Sequence, residues 1–338
     1  MRKVAVMGSG SWGTSLGMVL ADAGNEVAMW AREPDVGTDI NERHTNERYH
    51  PELTLPATMW ASSDPAAVLA DAAIVILAIP SQTLRENLAK WRDLLAADAV
   101  VVSLMKGIEL GTVMRMSQVI AEVAQIPDTR VAVLSGPNLA REIAQRQPAA
   151  TTVACASEES ALQLADAITT AYFRPYYTTD VVGVEIGGSV KNVIALANGM
   201  AVGLGFGENT QSSLITRGLA EMTRLGVALG ANPMTFQGLA GIGDLIATCS
   251  SPLSRNRTFG ENLGKGLTVA ETIERTNQTC EGVKSCQSIL ELAQRNGVDM
   301  PITHEVVKVV HEGMRPQEML ANLMSRDTRA EQGHDDDT

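Results

Sequence analysis

Two charged residues in the second half of the chain have the types and surroundings that acid–base chemistry needs. Lys191 lies in a largely apolar stretch, where burial should lower the pKa of its ammonium towards neutrality. Asp244 lies in the glycine-rich run 241–245 and could orient such a lysine and tune its charge. The alternatives are a lysine that extends from a core helix into solvent and an aspartate that caps a helix. We predict that Lys191 transfers a proton and that Asp244 assists it.

Polar residues at two other places could hold an anion. Ser254, Arg255 and Asn256 stand where a helix could begin, and a helix N-terminus beside an arginine is a favourable phosphate site. Lys106 and Gly107 directly follow an apolar run, so the Lys106 ammonium could reach a phosphate or a carbonyl oxygen. The alternatives are a helix cap with surface arginines and an exposed lysine. We predict a phosphate site.

Gly8, Gly10 and Gly13 form the pattern G-x-G-x-x-G between an apolar run and a helical pattern. In that setting the first glycine permits a tight turn, the second lets the backbone approach a pyrophosphate, and the third lets the helix pack closely on a sheet. The helix N-terminus then presents free N–H groups and a partial positive charge. A glycine turn without a ligand is the alternative. We predict a dinucleotide site here.

The residues after the second predicted strand bear on which dinucleotide binds. An acidic residue there usually accepts a hydrogen bond from the ribose 2′-hydroxyl of NAD, whereas an arginine favours the 2′-phosphate of NADP. Arg32 is followed directly by Glu33, and both could instead be solvated loop charges. We therefore predict NADP or NAD as the cofactor, with NADPH favoured.

These residues need a scaffold that brings them together. In the first half, short apolar runs alternate with helical patterns, which is typical of a parallel sheet covered by helices. The predicted strands are residues 4–7, 26–30, 74–79, 100–104 and 131–134, with edge strands at 151–154 and 173–177 and helices at 11–23 and 83–95. The runs 79–81, 105–109 and 135–138 follow three of these strands, at the edge where such sheets bind ligands.

Helical periodicity dominates the second half, and Lys191, Ala195 and Asn198 fall on one helix face. Gly187 and Gly188 are expected to open this helical part. We predict an α/β protein, with an N-terminal Rossmann-type doubly wound sheet followed by an all-α C-terminal domain. The predicted boundaries are 1–183 for the sheet domain, 184–325 for the helical domain and 326–338 for a disordered acidic tail.

Composition excludes several classes of function. The formal net charge of −12 would repel the phosphates of a nucleic acid. The four cysteines include no CxxC pair and lie near no histidine-rich cluster, so we expect reduced thiols, no metal site and a cytoplasmic location. Nowhere are there 18 consecutive apolar residues, and we expect no membrane span.

Taken together, these segments resemble the bacterial NAD(P)-dependent glycerol-3-phosphate dehydrogenases. The run LITRGLAEM and the pairing of GLAGIGDL with SRNRTFG are highly specific to that family. The matching stretches are residues 8–13, 30–32, 105–109, 135–142, 188–197, 209–222, 238–249, 254–260 and 281–283. The resemblance implies an active site between the two domains.

The family's functional positions can be transferred to this chain one by one. Lys191 matches the proton-transfer lysine. The substrate-contacting positions are Lys106, Gly136, Asn138, Lys191, Asp244, Ser254, Arg255 and Asn256. The positions near the cofactor are Gly8, Gly10, Ser11, Trp12, Gly13, Arg32, Lys106, Ala140, Arg255 and Glu281. Asn138 and Leu139 replace Ser or Thr followed by Phe, and Thr279 and Cys280 replace aliphatic residues; Asn138 keeps a donor.

The resemblance implies the reversible reduction of dihydroxyacetone phosphate to sn-glycerol 3-phosphate, which supplies glycerophospholipid synthesis. We expect a homodimer. One alternative is a similar dehydrogenase for a 3-hydroxy acid or a ketopantoate-like substrate, which would not need the phosphate site at Arg255. The others are a nucleotide sensor or scaffold without catalysis, and a methyltransferase or S-adenosylmethionine-binding module, in which Lys191 would have no task.

Overall fold

The computed structural model describes residues 1–276 and 280–327, and its N-terminal half is built on one eight-stranded sheet. The strands are β1 (Lys3–Met7), β2 (Glu26–Trp30), β3 (Met59–Ser62), β4 (Ile74–Leu77), β5 (Val100–Ser103), β6 (Val131–Ser135), β7 (Ala149–Cys155) and β8 (Phe173–Thr178). Their order is β3-β2-β1-β4-β5-β6-β7-β8. The first six run parallel, β7 is antiparallel to β6, and β8 is parallel to β7.

Helices cover this sheet and make up the C-terminal half. Those of the sheet half are α1 (Ser11–Asp22), α2 (Pro34–Thr38), α3 (Pro65–Leu69), α4 (Leu84–Trp91), α5 (Met116–Ala124), α6 (Ala140–Ala144) and α7 (Glu158–Ile168). Those of the C-terminal half are α8 (Val181–Gly203), α9 (Glu208–Ala228), α10 (Asp244–Ser250), α11 (Arg255–Gly264), α12 (Val269–Thr276), α13 (Glu281–Arg295), α14 (Pro301–Glu312) and α15 (Pro316–Met324). Short π-helical and 3₁₀ turns connect several of them, among them Ser81–Thr83 before α4 and Leu239–Gly243 before α10. No helix within the described ranges is long and apolar enough to cross a membrane.

The predicted fold class is confirmed: a mostly parallel sheet is followed by an all-helical part. Every predicted strand exists, because buried parallel strands are apolar on both faces and stand out in a sequence. The strand Met59–Ser62 was missed, since its side chains alternate between buried and half-buried and form no apolar run. The helix predicted at 83–95 is shorter, with Leu84–Trp91 flanked by two 3₁₀ turns.

The long helix α8 lies at the centre of the C-terminal half, and all its residues from Gly183 to Ala201 are buried. It begins at Val181, capped by the carboxylate of Asp180, so the prediction that Gly187 and Gly188 open the helical part is wrong. Both glycines lie inside the helix, where they allow close packing against its neighbours. The boundary predicted at residue 184 falls in the first turn of α8 and stays a prediction.

A small apolar cluster joins the two halves, with Val133 and Ala154 from the sheet, Val184 from α8 and Ala240 from the turn before α10. Most of the predicted tail, residues 328–338, lies outside the described residues. The substitution noted at Thr279 also lies outside them, whereas Cys280 is buried at the start of α13.

Candidate active site

Three charged side chains from distant parts of the chain meet at the carboxyl edge of the sheet. The carboxylate of Asp244 bridges two lysines: Oδ1 accepts from Lys191 Nζ at 2.5 Å and Oδ2 from Lys106 Nζ at 2.6 Å. Lys191 also donates to Oγ1 of Thr248 at 2.6 Å, and Lys106 to the carbonyl oxygen of Gly136 at 3.2 Å. The two lysines are therefore held side by side by one carboxylate.

Each member of this cluster lies on a different element. Lys106 follows β5, Lys191 lies in the middle of α8, and Asp244 is the first residue of α10. The cap of α10 is Gly243, so Asp244 is not the helix cap that one interpretation allowed. Lys191 and Asp244 are nearly inaccessible to solvent, and only 15% of the Lys106 side chain is exposed. Neither lysine is the solvated side chain that the alternatives described.

The two glycines inside α8 explain how close the helix comes to its neighbours. A Cβ on Gly187 would lie 2.4 Å from the carbonyl oxygen of Ala240, and one on Gly188 would lie 2.7 Å from Oγ of Ser135. Both distances are shorter than carbon–oxygen contacts allow. Glycine at these positions therefore lets α8 pack closely just before Lys191. The helix there contacts Ser135 at the end of β6 and Ala240 in the turn before α10.

Burial and charge act in opposite directions on the two ends of the Lys191–Asp244 pair. The pKa of Lys191 is lowered to about 7: burial is the main cause, Asp244 opposes it, and the neighbouring charge of Lys106 adds to it. Burial alone would raise the pKa of Asp244, but Lys106 and Lys191 outweigh it, and the net shift is downward. The cluster thus combines a fixed carboxylate with a lysine that can exchange a proton near neutral pH.

A chain of amide side chains connects this cluster to the start of α13. Asn192 donates from Nδ2 to the carbonyl oxygen of Lys106 at 3.3 Å and accepts from Nδ2 of Asn256 at 3.0 Å. Oδ1 of Asn256 in turn accepts from the backbone N–H of Gly282 at 3.1 Å. These bonds fix the loop after β5, α8, α11 and α13 relative to one another.

The helix predicted to begin at Ser254 is present. Ser254 caps α11, and its hydroxyl oxygen accepts from the backbone N–H of Arg257 at 3.2 Å. Arg255 is the first helical residue, is exposed, and has no ion-pair partner among residues 1–276 and 280–327. Arg255 lines a cavity of about 290 Å³ together with Leu253 and Cys280. A free guanidinium at a helix N-terminus beside a cavity suits an anionic ligand.

The loop after β6 closes another side of the site. Gly136 provides the carbonyl oxygen that Lys106 contacts. Asn138 donates from Nδ2 to Oγ1 of Thr151 at 2.8 Å, while its Oδ1 is buried and has no partner in the described part of the chain. Asn138 therefore has one unused acceptor, and its donor is directed to Thr151.

The glycine-rich turn after β1 has the geometry that a dinucleotide requires. Gly8 has a φ of +133°, and a Cβ there would lie 2.5 Å from the carbonyl oxygen of Ala78. A Cβ on Gly13 would lie 2.2 Å from the carbonyl oxygen of Gly8, whereas one on Gly10 would meet nothing within 4 Å. Gly10 faces open space at the N-terminus of α1, so a pyrophosphate fits there. The turn lies beside β4, where the strand order of the sheet reverses.

Contacts along the sheet edge join this turn to the charged cluster. Ala78, which touches Gly8 and Gly13, follows β4, and Ser81 comes three residues later. A Cβ on Gly107 would lie 2.7 Å from Oγ of Ser81. The hydroxyl of Ser81 also donates to Oε2 of Glu281 at 2.5 Å, so Glu281 reaches the same edge from the helical half.

The remaining predicted cofactor residues surround the turn, with one exception. Ser11 and Trp12 begin α1, and Ala140 begins α6 and accepts from the hydroxyl of Ser15 at 2.8 Å. Arg32 lies farther out, with 76% of its side chain exposed, and its guanidinium contacts Oε1 of Glu33 at 2.6 Å. The exposed Arg32 is thus paired with the half-buried Glu33 in this structure.

Sequence reasoning missed several members of the site. Thr248, which contacts Lys191, stands four residues after Asp244, a spacing that places both on one helix face. Ser81 lies in the run 79–81, which was predicted to reach the ligand-binding edge of the sheet, but it was assigned no role of its own. Asn192 lies within the matching stretch 188–197 but was assigned no role. Thr151, which holds Asn138, carries no signal in the sequence, because an antiparallel strand brings it to the site.

The fold and the site together define a two-domain, dinucleotide-dependent oxidoreductase. Models of the NAD-dependent glycerol-3-phosphate dehydrogenase family match this chain twice, the N-terminal model over residues 3–161 and the C-terminal model over residues 180–321. The chain belongs to this family. It is 60% identical to a glycerol-3-phosphate dehydrogenase [NAD(P)+] of Streptomyces griseus over 97% of this chain and 98% of that protein.

Solved structures agree with this placement. The glycerol-3-phosphate dehydrogenase of Coxiella burnetii has a TM-score of 0.90 and 36% identity, covering 96% of this chain and 98% of that one. A ketopantoate reductase from Ralstonia eutropha has a TM-score of 0.59 and 16% identity, covering 95% of this chain and 100% of that one. The second likeness concerns the fold alone. The family uses a nicotinamide dinucleotide, as the glycine-rich turn predicted.

Proposed function

We propose that this protein catalyses the reversible reduction of dihydroxyacetone phosphate to sn-glycerol 3-phosphate with NADPH or NADH. The observation that carries the proposal is the carboxylate of Asp244 bridging Lys191 and Lys106 at the edge of the sheet where the glycine-rich turn lies. A buried lysine with a pKa of about 7 can give a proton to a carbonyl oxygen and take it back in the reverse direction.

Different residues of the site would transfer the proton, stabilise the negative charge and hold the cofactor. Lys191 donates the proton to the substrate oxygen, and Asp244 holds the ammonium in place together with Thr248. Lys106 adds a second positive charge near the developing negative charge on that oxygen. The nicotinamide, when bound, supplies the hydride. Gly10, Ser11, Trp12, Gly13 and Ala140 would hold the dinucleotide, with Glu281 reaching it from the helical half.

The phosphate of the substrate would be held away from the reacting carbon. Arg255 provides a free, forked set of donors at the start of α11, and Ser254 and Asn256 flank it. Binding energy from a remote phosphate can align the carbonyl with the proton donor. Gly136 and Asn138 border the site on the side of β6, where Gly136 contacts Lys106 and Asn138 is held by Thr151.

This arrangement argues against the alternatives. A dehydrogenase for an unphosphorylated hydroxy acid has no need for Arg255 at a helix N-terminus. A sensor or a methyltransferase has no proton to transfer and so no need for two lysines bridged by a buried carboxylate, an arrangement that is costly to bury.

We further propose that the enzyme acts in the cytoplasm, where it supplies glycerol 3-phosphate for glycerophospholipid synthesis. We also propose that residues 1–183 form the sheet domain and residues 184–325 the helical domain. All four cysteines are free and buried, which suits a reducing compartment.

The protein is expected to act as a homodimer. Light scattering of the purified full-length chain tests this, and a monomer mass at the concentration used for assays would contradict it.

The direct test follows NADPH absorbance with dihydroxyacetone phosphate. Wild type should oxidise NADPH, and Lys191→Ala should lower kcat about 100-fold or more, as for a lost general acid, with a smaller change in KM. Lys90→Ala, on an exposed lysine paired with Glu86, is the matched control and should be normal. Near-normal kcat for Lys191→Ala at neutral pH would remove the proton-transfer role. No oxidation by wild type would refute the proposed activity.

A further inference from the structure

Residues 46–50 form a tight turn that packs against the glycine-rich turn. The backbone N–H of His50 donates to the carbonyl oxygen of Asn46 at 2.8 Å, and both residues are buried. Asn46 donates from Nδ2 to the carbonyl oxygen of Ser9 at 3.0 Å and to Oγ1 of Thr14 at 2.9 Å. Nε2 of His50 lies 3.0 Å from the carbonyl oxygen of Ser11. This segment thus contacts the glycine-rich turn through two polar side chains.

The same nitrogen of His50 reaches two hydroxyls. Nε2 lies 3.1 Å from Oγ of Ser11 and 3.1 Å from Oγ of Ser15. The other ring nitrogen, Nδ1, is buried and has no hydrogen-bond partner within residues 1–276 and 280–327. All polar contacts of the ring within those residues are therefore made by one atom, to the first turn of α1.

The hydrogen atoms can be assigned from the partners. A carbonyl oxygen only accepts, so the Nε2 beside the Ser11 carbonyl carries a hydrogen. The hydroxyl of Ser15 uses its own hydrogen on the carbonyl oxygen of Ala140 at 2.8 Å or of Ser11 at 2.9 Å. The Ser11 hydroxyl faces the same N–H, so its own hydrogen has no acceptor in the described part of the chain. Ser11 therefore keeps a free donor at the first residue of α1.

We propose that His50 is a positioning residue for cofactor binding: it holds Ser11 and Ser15 so that the free Ser11 hydroxyl and the N–H groups of α1 meet the pyrophosphate. The inference rests on the proposed function in one respect, the role of Ser11 as a cofactor contact. Ser15 extends the effect to Ala140, which begins the helix after the loop of Gly136 and Asn138. His50 thus acts through α1 and touches no reacting atom.

The test measures NADPH binding to the purified full-length protein by fluorescence titration. His50→Leu should raise Kd about 10-fold, the loss expected for one hydrogen bond to a charged group. In turnover assays KM for NADPH should rise while kcat changes little. Asn25→Leu is the matched control, because Asn25 is also buried beside α1 and donates to the carbonyl oxygen of Leu20 at the far end of that helix and to that of Ala167 in α7. This control should lower the melting temperature without changing Kd.

A double-mutant cycle separates positioning from general loosening of the fold. If His50 acts through Ser11, His50→Leu should change Kd far less in a Ser11→Ala background than in wild type. Equal effects in both backgrounds, or an equal rise in Kd for Asn25→Leu, would overturn the proposal. If His50→Leu does not fold, Ser15→Ala decides: a raised Kd supports the role and an unchanged Kd refutes it. Because the titration needs no turnover, a protein that binds NADPH but does not reduce dihydroxyacetone phosphate would refute the proposed function and leave this test valid.

Discussion

At the scale of single residues, the proposed proton transfer depends on how Asp244 shares its two oxygens between Lys191 and Lys106. The carboxylate compensates for burying two ammonium groups, which would otherwise cost several kcal/mol each. The same carboxylate opposes the effect of burial on the pKa of Lys191, so this pKa of about 7 is a balance between burial and neighbouring charges.

The pH dependence of the reaction should report this balance. Reduction needs protonated Lys191, so kcat/KM for dihydroxyacetone phosphate should fall as pH rises through about 7. Oxidation of glycerol 3-phosphate needs the neutral amine and should rise over the same range. Asp244→Asn removes the charge that raises this pKa and should move the fall to lower pH. The same trend in both directions of the reaction would contradict the assignment.

Arg255 should recognise the substrate phosphate as a forked donor. Arg255→Lys replaces a planar, bidentate group by a point charge and is therefore not conservative here. We expect kcat/KM to fall about 10-fold for dihydroxyacetone phosphate and to change little for unphosphorylated dihydroxyacetone. Arg257→Lys, two residues along the same helix in a pair with Glu261, is the control. An equal loss for both substrates would show that Arg255 does not contact the phosphate.

Cofactor preference should depend on the pair Arg32 and Glu33. Their contact at 2.6 Å shows that Arg32 must exchange Glu33 for the 2′-phosphate of NADPH. We predict a preference for NADPH that Arg32→Ala lowers about 10-fold, as for one charge-assisted hydrogen bond, and that Glu33→Ala increases. The measurement is kcat/KM with NADPH and with NADH for each variant. An unchanged ratio in Arg32→Ala would make Arg32 a surface charge only.

At the scale of elements, helix ends and close approaches position the site. Gly187 and Gly188 of α8 allow close contact with Ala240 and Ser135. Ser254 caps α11 at the end where the phosphate would bind. Glu221 of α9 does the same for α14: its carboxylate accepts from the backbone N–H of Ile302 at 2.6 Å and of Thr303 at 3.3 Å. A side chain of α9 thus caps α14, a helix distant in the sequence.

Glu221 should make stability depend on pH. Burial raises the pKa of Glu221 to about 7, and the helix N–H groups only partly oppose it. Because the folded-state pKa lies above the unfolded value of 4.5, the stabilisation is complete below that value and is lost as pH rises to about 7. Glu221→Gln keeps an acceptor without titrating, so its free energy of unfolding relative to wild type should increase over this range.

Urea denaturation from pH 5 to 8 measures the difference, with a slope of up to about 1.4 kcal/mol per pH unit. Glu318→Gln, at the start of α15, removes an exposed carboxylate from another helix N-terminus and is the control. A constant difference between Glu221→Gln and wild type across this range would show that Glu221 does not titrate there.

At the scale of the whole molecule, a buried ion pair joins the two halves. Arg115, which precedes α5, contacts Glu185 of α8 at 2.5 Å, and the same carboxylate accepts from the backbone and hydroxyl of Ser117. Lys191 lies on the same helix, less than two turns farther on. The pair therefore anchors the helix that carries the proposed proton donor to the sheet half.

Breaking this pair from one side should be costly. Glu185→Leu leaves the guanidinium of Arg115, whose side chain is 16% exposed, without its counter-charge and should lower the free energy of unfolding by about 3 kcal/mol. The double variant Arg115→Met, Glu185→Leu removes both charges and should recover much of that loss. Urea denaturation of both single variants and the double variant measures the coupling. Additive losses would show that the two residues do not act as a pair.

The sequence by itself determined the fold class and predicted most of the residues that the structure brings together at the candidate site. Buried strands and helix starts are local patterns, and the spacing of Gly8, Gly10 and Gly13 carries its own mechanism, which their steric surroundings match. The run Ser254, Arg255 and Asn256 predicted the start of α11, because a helix start is also a local sequence pattern. The alternating burial of Met59–Ser62 was too weak a pattern to reveal that strand.

Only the tertiary structure decided which residues meet. Asp244 stands 53 residues from Lys191 and 138 from Lys106, and no local pattern joins them. His50 stands 39 residues from Ser11 and could not be connected to the glycine-rich turn from the sequence. Gly187 and Gly188, which suggested a helix start, instead allow α8 to pack closely against its neighbours. The physical reason is the same in each case. Contacts between distant segments depend on how the helices pack at the edge of the sheet, whereas the sequence pattern of one element indicates only which of its faces is buried.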